Sequence, residues 1–113
     1  MAEHTGDTQT LKEFKEAVNM TASEIERWLE TDHSREVGQK QDGAEESTGH
    51  QSGRHIIEIL HRKQADYSTG DYAQMRRVVS YVRRHLAQKP SGDITETHWR
   101  YSLMNWGHDP AKN

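Results

Sequence analysis

Four arginines lie in one stretch, residues 71–88, whose apolar residues recur at helical spacing. Arg76 and Arg83 are one heptad apart, as are Arg77 and Arg84, and Tyr81 lies between them off the apolar stripe. Guanidinium groups bind phosphate through paired hydrogen bonds, and an exposed aromatic ring can stack on a base. The spacing predicts a helix face that binds nucleic acid. The alternative is a solvated face whose arginines pair with acids elsewhere in the chain.

The distribution of charge supports a basic surface in the second half of the chain. Residues 1–50 carry a net charge of −7 and residues 51–113 a net charge of +4, within a total of −3. Such an asymmetry is typical of a surface for nucleic acid or for an acidic partner. The alternative is that the acidic half folds onto the basic half and neutralises it. The cations that could widen the predicted patch are Arg54, Arg62, Lys63 and Lys89.

A second candidate site is the glycine-containing segment before the helix predicted at residues 55–65. Gly49 and Gly53 allow unusual backbone angles, and Ser52 is the predicted N-cap. Together with His50 and the free N–H groups of the helix, these residues could hold an anion such as phosphate. The segment lacks the spacing and the lysine of a P-loop. An ordinary N-cap with turn glycines is the alternative.

Neither the histidines nor the serines predict a catalytic or metal site. His50, His55 and His61 are close in sequence, but residues 55 and 61 face different sides of a helix. The chain has no cysteine and no H-E-x-x-H motif for zinc. No spacing links Ser47 or Ser52 to a base as a nucleophile. We therefore expect no enzyme activity, no metal and no cofactor.

The elements that position these residues are helices. Periodicity and capping signals predict five of them, at residues 8–19, 21–30, 55–65, 71–88 and 95–105. No segment alternates with the period of a strand. We expect an all-α, single small domain over residues 8–110, a helical bundle with a long Gly-rich loop at 31–53. Residues 1–7 are predicted to be a disordered tail.

The predicted core combines the stripe of residues 71–88 with the tryptophans of the last helix. Trp99, Leu103 and Trp106 lie on one helix face, whereas Tyr101 and Met104 point elsewhere and are candidates for a protein contact. The stripe consists of Tyr72, Met75, Val78, Val79, Val82 and Leu86.

Composition favours a cytoplasmic protein, or a nuclear one in a eukaryote. There is no cysteine, no apolar run long enough to cross a membrane, and no signal peptide's apolar region at the N-terminus. We expect a soluble chain with no membrane partner.

Several stretches resemble a known family over residues 14–110. They are AVNMT with WLET; VG at 37–38; ES at 46–47 with GHxSGR; residues 78–85; and the closing WRYSLMNWGHDP. These are similar to a family of small uncharacterised proteins from bacteria and some fungi, domain of unknown function 3140. Some members of that family are labelled DNA-binding. The resemblance implies no activity, substrate or cofactor.

The leading prediction is therefore a DNA-binding protein whose contacts are weak and mainly electrostatic. The alternative is a protein-interaction module that uses the acidic N-terminal helices or the C-terminal aromatic segment. The sequence does not define the oligomeric state.

Overall fold

The structure, a computed structural model, describes residues 2–37 and 48–112. These two ranges contain no strand, so the predicted all-α class is confirmed. Within these ranges six α-helices and one 3₁₀ turn follow one another. They are α1 (Ala2–Ala17), α2 (Ala22–Leu29), α3 (Asp32–Glu36), α4 (Thr48–His61), the 3₁₀ turn (Gln64–Asp66), α5 (Thr69–Leu86) and α6 (His98–Asn105).

Helix α5 follows its predicted pattern closely. Ser68 caps it in a reciprocal capping box with Asp71, which satisfies two backbone N–H groups at the helix start. The apolar stripe is buried at Met75, Val78, Val79 and Val82. The last residue of the stripe, Leu86, is instead exposed, because α5 ends there and the neighbouring helices do not cover it.

The N-terminal helices differ from prediction mainly at their ends. Helix α1 begins at Ala2, within the segment predicted to be a tail, and no apolar residue between Ala2 and Leu11 signals this start. Helix α2 begins as predicted, with a capping box in which Thr21 N–H donates to Glu24 and Glu24 N–H donates to Thr21 Oγ1.

The segment predicted as one long loop, residues 31–53, contains helical structure at both ends. Thr31 caps the short helix α3, and α4 already begins at Thr48. The remaining part of the predicted loop, residues 38–47 with Gly38 and Gly43, lies outside the described residues.

The helices bury one core whose assembly depends on close packing of α4. Helix α1 packs on α5, α2 packs on α4, and α6 contacts α2, α3, α4 and α5. A Cβ atom at Gly53 would lie 2.8 Å from the carbonyl oxygen of Asn105 and 2.9 Å from a methyl group of Leu29. Only glycine therefore allows α4 to approach α2 and α6 at this distance. Gly107 follows the C-cap of α6 at φ +79°, a left-handed conformation that favours glycine.

Candidate functional site

The α5 arginines border a cleft between α4, α5 and α6. Its volume is about 950 Å³. Arg76, Arg77 and Arg84 are exposed and line it from α5. The remaining described residues of the lining are Thr48, Gly49, Ala73, Ser80, Tyr81, Ser102, Asn105 and Trp106. No carboxylate belongs to this described lining, whose only charged groups are the three arginines.

The acidic half of the chain neutralises only part of the basic half. Arg83 Nη2 donates to Glu13 Oε2 at 2.8 Å, which joins α5 to α1. Arg76, Arg77 and Arg84 have no carboxylate within ion-pair distance in residues 2–37 and 48–112. The four arginines of α5, which the sequence treats alike, thus fall into one paired residue and three that face the cleft. We call Arg76, Arg77 and Arg84 the arginine face.

Two successive hydrogen bonds connect Arg77 to buried side chains of α5 and α4. Arg77 Nε donates to Gln74 Oε1 at 3.2 Å, and Gln74 Nε2 donates to Ser52 Oγ at 2.7 Å. Gln74 and Ser52 are both buried, so this chain links the guanidinium of α5 to α4. This contact uses only Nε, so the two terminal nitrogens of Arg77 make no hydrogen bond to another described residue.

Tyr81 is not the exposed aromatic residue that the sequence predicts. Its ring stacks on Trp106 with centroids 4.3 Å apart and planes at 12°, and on His85 at 5.2 Å and 13°. Burial raises the pKa of Tyr81, while a hydrogen bond with Ser102 and the charge of Arg84 act in the opposite direction. Tyr81 lies off the apolar stripe of α5, but its ring packs against the indole of Trp106, directly after α6. Helical periodicity cannot reveal this contact. Tyr81 therefore forms a wall of the cleft and offers no open face to a base.

The stacking continues into a column of four near-parallel rings. His85 lies 6.0 Å from Trp99 at 13°, which extends the order Trp106, Tyr81, His85, Trp99. Trp99 Nε1 donates to the His85 carbonyl, and His85 Nε2 lies 3.1 Å from the Trp99 carbonyl. Burial lowers the pKa of His85, against the opposing effect of the Trp99 carbonyl. The column fixes α6 against the C-terminal half of α5.

The predicted anion-binding loop is part of helix α4. Gly49, Ser52 and Gly53 are buried on the same helix face as Ile56 and Ile59. The small residues allow close packing instead of a turn, and Ser52 accepts from Gln74 rather than capping the helix. The spacing of 49, 52, 53, 56 and 59 is a helical stripe, and it is the signal that identifies this segment as helical.

His50 packs α4 against α2. Its Nε2 lies 2.8 Å from the carbonyl oxygen of Leu29, at the last residue of α2. The ring therefore donates to the end of a helix, and of the predicted loop only Gly49 lines the cleft.

The other predicted cations lie away from the cleft. Arg54 is exposed on α4, and Lys63 is exposed just before the 3₁₀ turn; neither lines the cleft. Arg62 Nη1 donates to Asp71 Oδ1 at 2.6 Å, near the start of α5, and Arg62 also pairs with Glu58. Of the predicted cations, only Arg76, Arg77 and Arg84 line the cleft, whereas Arg62 binds Asp71 in the first turn of α5.

Asp71 is a buried carboxylate that joins the end of α4 to the start of α5. It accepts from Arg62, from His55 Nε2 at 3.0 Å and from the backbone N–H of Ser68. Burial opposes ionisation of Asp71, but the Ser68 backbone bond and the bonds from His55 and Arg62 outweigh it and lower its pKa to about 2. His55 and Asp71 are adjacent, but no serine or threonine hydroxyl bonds to His55 in the described part of the chain. These bonds support the start of α5.

Six described residues of the cleft are absent from the sequence-based site: Thr48, Ala73, Ser80, Ser102, Asn105 and Trp106. Trp106 was assigned to the core, and Ser102 to no role. Both face α5 from α6, where Trp106 is 9% exposed and lines the cleft. Tyr101, predicted as a contact residue, is buried; its ring stacks on His33 and contacts Trp28 in a tilted arrangement. The register of α6 thus turns Trp106 towards the cleft and Tyr101 into the core.

Neither a metal centre nor a membrane helix is found in the described ranges. No group of three or more histidine, aspartate or glutamate residues there could hold a metal ion. Among the described helices, none combines the length and the apolar content that crossing a membrane requires.

Comparison with known proteins places the chain in a family. Neither the curated proteins nor the solved structures contain a significant match. The model of a family described as proteins of unknown function, DUF3140, matches residues 13–104. Because this match spans most of the chain, the protein belongs to the DUF3140 family.

Proposed function

We propose that this protein binds the phosphate backbone of DNA through the arginine face of α5. The proposal rests on one difference among the arginines of residues 51–113, namely whether a carboxylate pairs with them. Arg62, Arg83 and Arg100 are each paired with a carboxylate. Arg76, Arg77 and Arg84 are exposed and have no such partner among the described residues. Three guanidinium groups on one helix face thus remain available to phosphate.

The spacing of the arginine face suits neighbouring phosphates. Arg76 and Arg84 are eight residues apart on one helix, which is about 12 Å along its axis. Ser80 lies between them on the same side and lines the same cleft. Serine hydroxyls and arginines are both common phosphate contacts in complexes with DNA. A rigid helix therefore presents up to three charge-assisted contacts in one row.

We expect little sequence preference. Contacts to phosphate carry no base information, and Tyr81, the residue predicted to stack on bases, has its ring engaged by Trp106 and His85. Binding should therefore depend strongly on salt and weakly on base composition. Three neutralised phosphates give an expected slope of log K on log salt concentration of about −2.7.

The test is fluorescence anisotropy with a labelled duplex at several salt concentrations. The triple variant Arg76→Gln, Arg77→Gln, Arg84→Gln should lose most of the affinity and most of the slope. Arg83→Gln is the matched control, because it removes the same charge from the same helix at the residue that Glu13 already pairs. Wild-type affinity in the triple variant, or an equal loss per charge in the control, would refute the proposal.

A further inference from the structure

The cleft beside the arginine face has the size and lining of a small-molecule site. Its volume of about 950 Å³ is within the range of ligand pockets and much larger than one phosphate group needs. The arginine face forms one side, and the hydroxyl groups of Thr48, Ser80 and Ser102 lie around it. Tyr81, Trp106 and Ala73 supply apolar surface. A ligand with one anionic end and one organic end matches this division.

Trp106 provides an independent sign of a ligand. The indole N–H groups of Trp28 and Trp99 donate to Asn105 Oδ1 and to the His85 carbonyl, each at 2.7 Å. The N–H of Trp106 has no acceptor among the described residues, although the side chain is more than nine-tenths buried. Its Nε1 lies at the cleft, 3.4 Å from where a Cβ of Gly49 would stand. Among the described residues no buried side-chain nitrogen or oxygen lacks a partner, so the Trp106 N–H is open to the cleft, where the acceptor of a ligand can replace water.

Helix α4 adds to the positive potential at the same place. It begins at Thr48, and Thr48 and Gly49 both line the cleft. The positive end of the helix dipole therefore faces the same space as the arginines. Gly49, which has no side chain, leaves that space open to an acceptor at the Trp106 N–H.

We propose that the cleft binds a phosphate monoester of nucleotide size. Its phosphate lies between the arginine face and the first turn of α4, and its organic part lies against Trp106 and Tyr81. The ligand is either a free nucleoside monophosphate or the phosphorylated 5′ end of a nucleic-acid strand, which share this chemistry. This inference rests on the proposed function in that it uses the same arginines. It also requires the shape of the cleft, whereas contact with the DNA backbone requires only the exposed arginines.

The first experiment follows the three indole N–H signals by ¹H–¹⁵N NMR during titration with adenosine 5′-monophosphate. Replacement of each tryptophan by phenylalanine assigns the signals. The Trp106 signal should move, whereas those of Trp28 and Trp99, which are bonded within the protein, should stay near their positions. Adenosine without phosphate should leave all three unchanged. A Trp106 signal that adenosine 5′-monophosphate does not move would overturn the proposal.

The second experiment separates the cleft from the DNA surface with Ala73→Met, which fills the cleft without changing charge. It should weaken adenosine 5′-monophosphate binding at least about tenfold and leave duplex affinity within about twofold. Ala87→Met, on the exposed end of α5, is the matched control and should change neither. The NMR spectrum of each variant verifies its fold. Unchanged nucleotide affinity in Ala73→Met would overturn the proposed cleft site, whereas absence of duplex binding by the wild-type protein would count only against the DNA proposal.

A 5′-phosphorylated single-stranded oligonucleotide identifies the source of the ligand. If strand ends are the ligand, it should bind more tightly than the same oligonucleotide without the phosphate, and Ala73→Met should abolish the difference. If the free nucleotide is the ligand, Ala73→Met should weaken the binding of adenosine 5′-monophosphate and leave the affinity for both oligonucleotides unchanged. Both results support the site. Absence of any dependence on Ala73 with either probe would remove it.

Discussion

Arg83 of α5 donates to Glu13 of α1 across 2.8 Å, while its neighbour in sequence, Arg84, has no carboxylate partner among the described residues. The hydrogen bond from Arg83 lowers the pKa of Glu13. The two arginines differ by one position, which is about 100° around the helix, so that Arg83 pairs with α1, whereas Arg84 lines both the groove beside α1 and the cleft. The packing of α1 on α5 therefore selects which cations of α5 remain available to a ligand.

Glu13→Gln should release Arg83 and strengthen binding to anions. The salt slope of duplex binding should steepen by about one unit, because one more cation becomes available to phosphate. The thermal midpoint should change little, because Arg83 is 64% exposed and exposed ion pairs contribute little to stability. Glu16→Gln removes the same charge from the exposed side of α1 and should alter the slope less. Equal slopes in the two variants would contradict the selective role of the pair.

Gly53→Ala should destabilise the protein by about 1–3 kcal/mol, because the added methyl group has no space between the Asn105 carbonyl and Leu29. Gly70→Ala is the matched control. Its Cβ would meet only Ser68 Oγ, at 3.6 Å, and the change should be neutral or stabilising by up to about 1 kcal/mol. Urea unfolding of both variants measures the contrast. Equal stability of the two variants would show that α4 does not approach α6 as closely as described.

Asp71→Asn should cost about 2 kcal/mol at neutral pH, because it removes the carboxylate whose pKa is held at about 2 against an ordinary value of 3.8. Below pH 3.8 the unfolded state takes up the proton first, so the contribution is complete above about pH 4 and is lost as pH falls to about 2. The variant should therefore lose less stability than the wild type over this window.

Chemical unfolding at pH 6, 4 and 2.5 measures this difference. Asp66→Asn, at an exposed aspartate of the 3₁₀ turn, is the control and should follow the wild-type pH dependence. Parallel curves for wild type and Asp71→Asn would be inconsistent with the depressed pKa.

Trp28→Phe should destabilise the fold by about 1–2 kcal/mol, since it removes the 2.7 Å bond from Trp28 Nε1 to Asn105 Oδ1. Combined with Asn105→Ala, its effect should be less than additive by at least about 0.5 kcal/mol, because both changes remove the same bond. Lys12→Ala, on the exposed face of α1, should be additive with Asn105→Ala. A double-mutant cycle from thermal unfolding measures both couplings, and full additivity of the first pair would contradict the bond.

The sequence predicts helices well where one apolar face and a capping pair coincide. Thr21 with Glu24 and Ser68 with Asp71 mark the starts of α2 and α5 because both partners of each capping box are local. The start of α4 was missed because Gly49 has the local preference of a loop, and its reason is a close approach to α6 that appears only in the folded chain. Local signals therefore predict where helices start. A glycine that allows close helix packing, however, has the same local signal as a glycine in a turn.

The candidate site was predictable in its charge and not in its shape. The heptad spacing places Arg76, Arg77 and Arg84 on an exposed side of α5, as the structure shows. The pairing of Arg83 depends on where α1 packs, and the stacking of Tyr81 depends on the register of α6. Both are contacts between residues far apart in sequence, and neither leaves a periodic signal. The cleft arises from these contacts and so could not be derived from spacing.

Asn105 of α6 is hydrogen-bonded to both α2 and α3. Its side chain accepts from Trp28 and from Ser34 Oγ and donates to the Ser34 carbonyl, all within the core. Withdrawal of α3 alone would leave the buried Nδ2 of Asn105 without its acceptor, the Ser34 carbonyl. The five residues of α3 should therefore not fray independently, despite their short length. In native-state hydrogen exchange, α2, α3 and α6 should open as one cooperative unit.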